Sequence, residues 1–203
     1  MKEHPIIFKG EMVKAILDGR KTMTRRVIKP QPECCQMLRD GRLECSPDGG
    51  FDVGVSYVSC LYGQPGDRLW VRETFFSGAA AHNKILTKKK HLLFKADHLN
   101  HKGLTQHWQP STFTPRWASR ITLEITNIRA ERVQEIGEAD AIAEGIILKQ
   151  GMGDAGLLKG YFPGNCDHAT TSFNILWDSI NAKRGYGWKL NPWVWVVSYK
   201  VVR

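Results

Sequence analysis

An α+β domain, a mostly antiparallel β-barrel with helices at its periphery, is the fold class this sequence predicts. Three observations lead there. The elements run strand, helix, several strands, helix, helix, strand, without the regular alternation of a doubly wound parallel sheet. Ile121, Leu123 and Ile125 alternate with Thr122, Glu124 and Thr126, the period of a half-buried strand. The chain has 203 residues, 42% hydrophobic and 24% charged, which suits one domain spanning 1–203 with insertions at about 33–64 and 77–116.

The elements follow in order. Ile6-Ile7-Phe8 reads as a short strand, and Met12, Val13, Ile16 and Leu17 recur at helical spacing behind it. Gly19 can take the left-handed conformation that stops such a helix. A basic segment, Arg20 to Arg26, comes next, and Lys29-Pro30-Gln31-Pro32 breaks regular structure. Residues 33–64, rich in Gly, Cys, Asp and Ser, read as an irregular insertion carrying one hairpin. Gly66-Asp67 turns the chain into a strand, Arg68 to Phe75, with Leu69 and Val71 on one side. A second strand covers Ala118 to Ile128, and a short helix covers Glu135 to Glu144, stopped by Gly145. A Gly-rich loop fills 151–164. Thr170 to Ala182 then forms a helix with Phe173, Leu176, Trp177 and Ile180 on one face, and Trp193 to Val202 is the last strand.

Lys and Arg total 29 against 20 acidic residues, a formal charge of +9 that attracts polyanions or anionic small molecules. No apolar run approaches the roughly 20 residues of a membrane helix, so no membrane partner is expected. Only three apolar residues follow Met1-Lys2-Glu3-His4-Pro5, too few for a signal peptide. The five cysteines form no C-x-x-C pair and read as free thiols of a cytoplasmic protein. Cys34, Cys35 and Cys45 with a histidine lack zinc-ligand spacing, and no Walker loop, Rossmann glycine pattern, H-E-x-x-H or G-x-S-x-G is present. No cofactor and no metal is therefore expected.

Two places carry chemistry. In Gly19-Arg20-Lys21-Thr22-Met23-Thr24-Arg25-Arg26, four cations in seven positions repel one another, which depresses a lysine's pKa and favours a neutral amine. Thr24 offers a hydroxyl that needs a base to become a nucleophile. In an extended strand Lys21 and Thr24 point to opposite faces, so they converge only if the chain turns after Gly19 or the lysine bends over a rim. A connection that merely binds phosphate is the competing reading. Glu144 sits at a helix carboxyl end, where the dipole disfavours an anion by a few tenths to about 1 kcal/mol, and such costs collect at working sites.

The second insertion is basic. Asp97 is the one carboxylate between Glu73 and Glu124, while five of the seven histidines lie there beside Lys88, Lys89 and Lys90. It reads either as a solvated loop or as a phosphate-facing rim, with Arg116 adding charge and Trp108 and Trp117 available for base stacking. Trp177, Trp193 and Trp195 read as core. Trp70 faces away from Leu69 and Val71 and can line a pocket, with Glu73 in reserve on the opposite side.

Gly19-x-Lys21-x-x-Thr24-x-Arg26 after a short amphipathic helix resembles the signature of ASCH-domain proteins. Gly66-Asp67-Arg68-Leu69-Trp70-Val71, the strand near Ile121–Ile125 and Glu138-Ala139-Asp140-Ala141-Ile142-Ala143-Glu144-Gly145 are similar in the right order. Leu176-Trp177-Asp178-Ser179-Ile180-Asn181 and Asn191-Pro192-Trp193-Val194-Trp195 resemble the longer branch found in phages and prophages. The resemblance implies a PUA-like barrel and, through the bacterial N4-acetylcytidine amidohydrolases of the family, hydrolysis of an acetylated cytosine nucleoside or a related modified base. It implies Thr24 as nucleophile, Lys21 as its activator and Glu144 as substrate holder and proton shuttle, with Arg26 ordering the loop or binding an anion. Arg26, Trp70 and Glu73 are thus expected at substrate, and Lys88, Lys89, Lys90, Trp108 and Arg116 at nucleic acid. The alternatives are a non-catalytic RNA-binding module and a ribonuclease using the same basic pocket. The expected partner is a modified nucleoside or RNA.

Overall fold

The computed structural model describes residues 1–32, 34–38, 43–46, 56–77, 92–98, 108–147 and 168–202. The fold is α+β, with a mostly antiparallel sheet. Its strands are β1 (Glu3–Ile7), β2 (Met23–Val27), β6 (Arg68–Arg72), β9 (Thr122–Arg132) and β10 (Trp193–Val201), in the order β1-β6-β9-β10-β2. The β1–β6 pair is parallel, and the others are antiparallel. The edge strands β1 and β2 are joined by a side chain, Arg26 Nη2 donating to Ile7 O at 2.7 Å. In the first insertion, β3 (Cys34–Met37), β4 (Leu43–Ser46) and β5 (Ser56–Val58) make a three-stranded antiparallel sheet rather than one hairpin. In the second, β7 (Phe75–Ser77) pairs with β8 (Leu92–Phe94), so the strand expected from Arg68 to Phe75 is two strands separated at Glu73 and Thr74.

β10 explains why the apolar run Trp193–Val197 does not alternate. It is buried on both faces, as a central strand between two cores must be. Trp195, Val197 and Tyr199 join the inner core with Ile6, Leu69, Val71, Leu123 and Ile125 and with Val13 and Ile16 of α1 (Gly10–Leu17). Val194 and Val196 face the outer core, built with α2 (Glu138–Ala143) and with Phe173, Leu176 and Trp177 of α3 (Ala169–Asn181). Each fully buried side chain of this kind contributes roughly 1.5–3 kcal/mol.

β9 starts later and runs further than its alternation suggests. The register against β10 shifts between Ser198 and Tyr199, which pair with Asn127 and Ile125 and leave Thr126 as the extra residue. This bulge lets Ile125 and Ile128, three apart, both reach the inner core. A period of two cannot follow the strand past that point.

Candidate functional site

Lys21 is placed by the end of α1. Gly19 adopts φ 73°, and the amides of Arg20 and Lys21 both donate to Ala15 O, at 2.9 and 3.0 Å. The chain therefore turns before β2 begins at Met23, and the strand parity that would separate Lys21 from Thr24 does not apply. Thr22 N then donates to Ala143 O at 2.9 Å, which brings the end of α2 alongside. Gly145 closes the approach with φ 95°. A Cβ there would stand 3.3 Å from Lys21 Cβ and 3.2 Å from Ala15 Cβ, so a side chain would be strained in conformation and crowded by both neighbours.

Lys21 and Glu144 meet inside the protein. Lys21 is 1% exposed and donates to Glu144 Oε2 at 2.5 Å and to Glu144 O at 2.8 Å. Burial holds the Lys21 ammonium below its ordinary pKa against the pull of Glu144, and the Arg26 and Arg25 charges push the same way. The cationic neighbours are the smaller cause and desolvation the larger. Tyr199, also buried, places a hydroxyl nearby that has no hydrogen-bond partner among the described residues. Burial and then the Glu144 charge raise its pKa well above the usual phenol value.

Arg25 and Asp140 complete the cluster. Period two turns Arg25 to the face opposite Thr24 and Arg26, where its side chain is fully buried over the Phe173 ring at 5.7 Å. Its Nη2 donates to Glu131 Oε1 at 2.5 Å and to Asp140 Oδ2 at 2.7 Å, and its Nη1 lies 3.5 Å from Glu144 Oε1. Arg129 donates to Glu131 at 2.9 Å and also to Asp140. Sequence reasoning missed this role of Arg25 and Asp140. The signals were there: Arg25 lies between two residues of the other face, and Asp140 precedes Glu144 by one helical turn.

A cavity of about 600 Å³ opens beside the pair, where the sheet leaves its edge strands apart. Thr24, Arg26 and Glu144 line it, with Trp177, Tyr186 and Trp195 among its aromatic walls. Lys21 is not in the lining and stands behind Glu144. Trp177 and Trp195, expected as core, serve both core and wall.

The other expected site residues lie elsewhere. Trp70 is half-buried with the Arg72 and Arg116 guanidinia 5.4 and 5.9 Å from its ring. Arg116 is a double donor to Glu3, at 2.8 and 2.9 Å. Glu73 is buried against Arg120, and Trp108 packs on Phe76 and His98. None of Trp70, Glu73, Trp108 and Arg116 lines the cavity. Lys88, Lys89 and Lys90 lie outside the described residues. Among the described residues no group of His, Cys, Asp and Glu could hold a metal ion, and no helix is long and apolar enough to cross a membrane. Family models, curated proteins and solved structures yield no match to this chain.

Proposed function

We propose that the protein is an amidohydrolase that removes the acetyl group from an N4-acetylcytosine nucleoside or a related modified base. One observation supports this most: a cavity whose wall carries Thr24 and Glu144 has a buried lysine bonded to that glutamate from behind. On this reading the Lys21–Glu144 pair acts as one proton store. Burial favours the neutral amine of Lys21.

The Thr24 hydroxyl attacks the acetyl carbonyl and gives its proton to the pair, forming a tetrahedral adduct. The C–N bond breaks, and Glu144 returns the proton to the departing N4 amine. Water then attacks the acetyl-threonine ester, releases acetate and restores the hydroxyl. The ASCH resemblance fits the same three residues. The sheet, with edge strands linked by Arg26 and Ile7, is taken as a PUA-like barrel.

The test is release of cytidine and acetate from N4-acetylcytidine. Turnover by the native protein and a loss of at least about 1,000-fold in Thr24→Ala are expected. No turnover at high enzyme concentration, or full turnover in Thr24→Ala, overturns the reading. RNA binding without turnover would favour the non-catalytic RNA module, and RNA fragments would favour the ribonuclease.

A further inference from the structure

The charge on the cavity wall exceeds what an uncharged nucleoside needs. Lys9, Arg25, Arg26, Lys29 and Arg184 line it against one carboxylate, Glu144. Arg25 is saturated by Glu131, Asp140 and Glu144, and Glu144 is itself taken up by Lys21 and Arg25.

Three of the cations are different. Arg26, Lys29 and Arg184 have no carboxylate partner among the described residues, although Arg116, Arg120 and Arg129 all do. Arg26 spends Nη2 on Ile7 O, stacks 5.1 Å from the Phe8 ring and keeps a buried Nε with no hydrogen-bond partner. Lys29 Nζ lies 5.0 Å over the centre of the Tyr186 ring, and both residues line the cavity. Arg26 is partly buried, and a partly buried guanidinium without an anion is costly unless one arrives with the ligand, while Lys29 and Arg184 are exposed and add positive charge at the cavity.

We infer that the cavity takes its base together with a ribose phosphate, so that the preferred substrate is a nucleotide and Arg26, Lys29 and Arg184 receive its phosphate. The choice of base rests on the hydrolase reading above. The phosphate requirement rests on the unpaired cations alone. A free mononucleotide and a residue within an RNA chain carry the same chemistry.

Calorimetry on the native protein with cytidine, cytidine 5′-monophosphate and a cytidine trinucleotide tests it. The monophosphate is expected to bind at least about tenfold tighter than cytidine, an advantage that shrinks as salt rises from ~50 to ~300 mM. Lys29→Ala and Arg184→Ala should each cut that ratio about threefold or more, with cytidine affinity held within about twofold. Equal affinity for cytidine and its monophosphate, no binding of either, or an unchanged ratio in both variants overturns the inference. Tighter binding of the trinucleotide than of the monophosphate supports RNA as the source, and equal binding supports a free nucleotide.

Acetate release separates this inference from the hydrolase reading. A persistent phosphate advantage without turnover of either acetylated form removes the hydrolase and leaves the phosphate site. Turnover with equal kcat/KM for nucleoside and nucleotide does the reverse.

Discussion

Two buried carboxylates, Glu144 and Glu73, each meet a cation inside this protein, and their surroundings differ in what they leave unspent. Glu73 is 1% exposed, and its oxygens accept from Arg120 at 2.8 and 3.0 Å. Arg120 turns its remaining donors to Asp97 at 2.7 and 2.9 Å and lies 4.2 Å over the Phe94 ring, while Glu73 O accepts from Thr114 Oγ1. Every polar atom is matched, and a guanidinium does not give up its proton near neutral pH. Glu144 instead meets a lysine, which does exchange protons, and one side of it faces a cavity that also holds a hydroxyl. Burial of a carboxylate marks neither a site nor its absence. The partner's ability to move a proton and the presence of open space decide.

The largest expected effect breaks or keeps that distinction directly. Lys21→Met and Glu144→Gln should each lower kcat/KM for N4-acetylcytidine at least about 100-fold, the range for removing a general acid or base. Glu73→Gln should stay within about threefold of the native protein, since Glu73 does not line the cavity. Comparable losses at the two glutamates would place the chemistry outside the cavity described.

Stability sharpens the contrast in the opposite direction. Arg120→Ala leaves Glu73 without a cation among the described residues, and breaking a buried pair in this way costs about 3–5 kcal/mol. Arg25→Ala removes more bonds but strands fewer charges. Glu131 and Asp140 keep Arg129, and Glu144 keeps Lys21. Its expected cost is about 1–3 kcal/mol, mostly lost hydrogen bonds and the stacking on Phe173. Urea midpoints measure both, and Arg120→Ala/Glu73→Leu should recover part of the single-variant loss. A smaller cost for Arg120→Ala than for Arg25→Ala would reverse the ranking.

Much of the fold was legible because its signals are local. The α1 spacing, the Gly19 stop, the α3 face of Phe173, Leu176 and Trp177, and the alternation at Leu123 and Ile125 all survive in the structure. The strand ends were not legible where tertiary structure overrides period: the bulge at Thr126 carries β9 on to Arg132, and the break at Glu73 ends β6 early. At the site, Lys21, Thr24 and Glu144 carry sequence signals. Lys29 and Arg184 do not, and for Arg25 only the facing is legible, because whether a cation meets an acid depends on contacts far along the chain, as for Arg25 and Glu131, 106 residues apart. Trp70 shows the converse, an alternation read correctly that leads to a second face rather than to the cavity.

The smallest expected effects are in the pH dependence of stability, where the two regions should slope oppositely. Burial lowers the Lys21 pKa, so between its folded value and 10.5 the native state binds fewer protons than the unfolded chain. Stability from this group is therefore gained as pH rises through that window, and Lys21→Met should remove the gain. Burial raises the Glu73 pKa despite Arg120, so above 4.5 and up to its folded value the native state binds more protons than the unfolded chain. Stability from this carboxyl is present at and below 4.5 and falls as pH climbs through that window. Glu73→Gln, which keeps the shape and cannot ionise, should flatten that part of the profile while leaving the Lys21 gain in place. Urea midpoints taken at half-unit pH steps resolve the two. A Glu73→Gln profile parallel to that of the native protein would mean that Arg120 fully offsets the desolvation of Glu73. The second cluster would then be an ordinary stabilised ion pair, and burial alone would no longer distinguish it from the first.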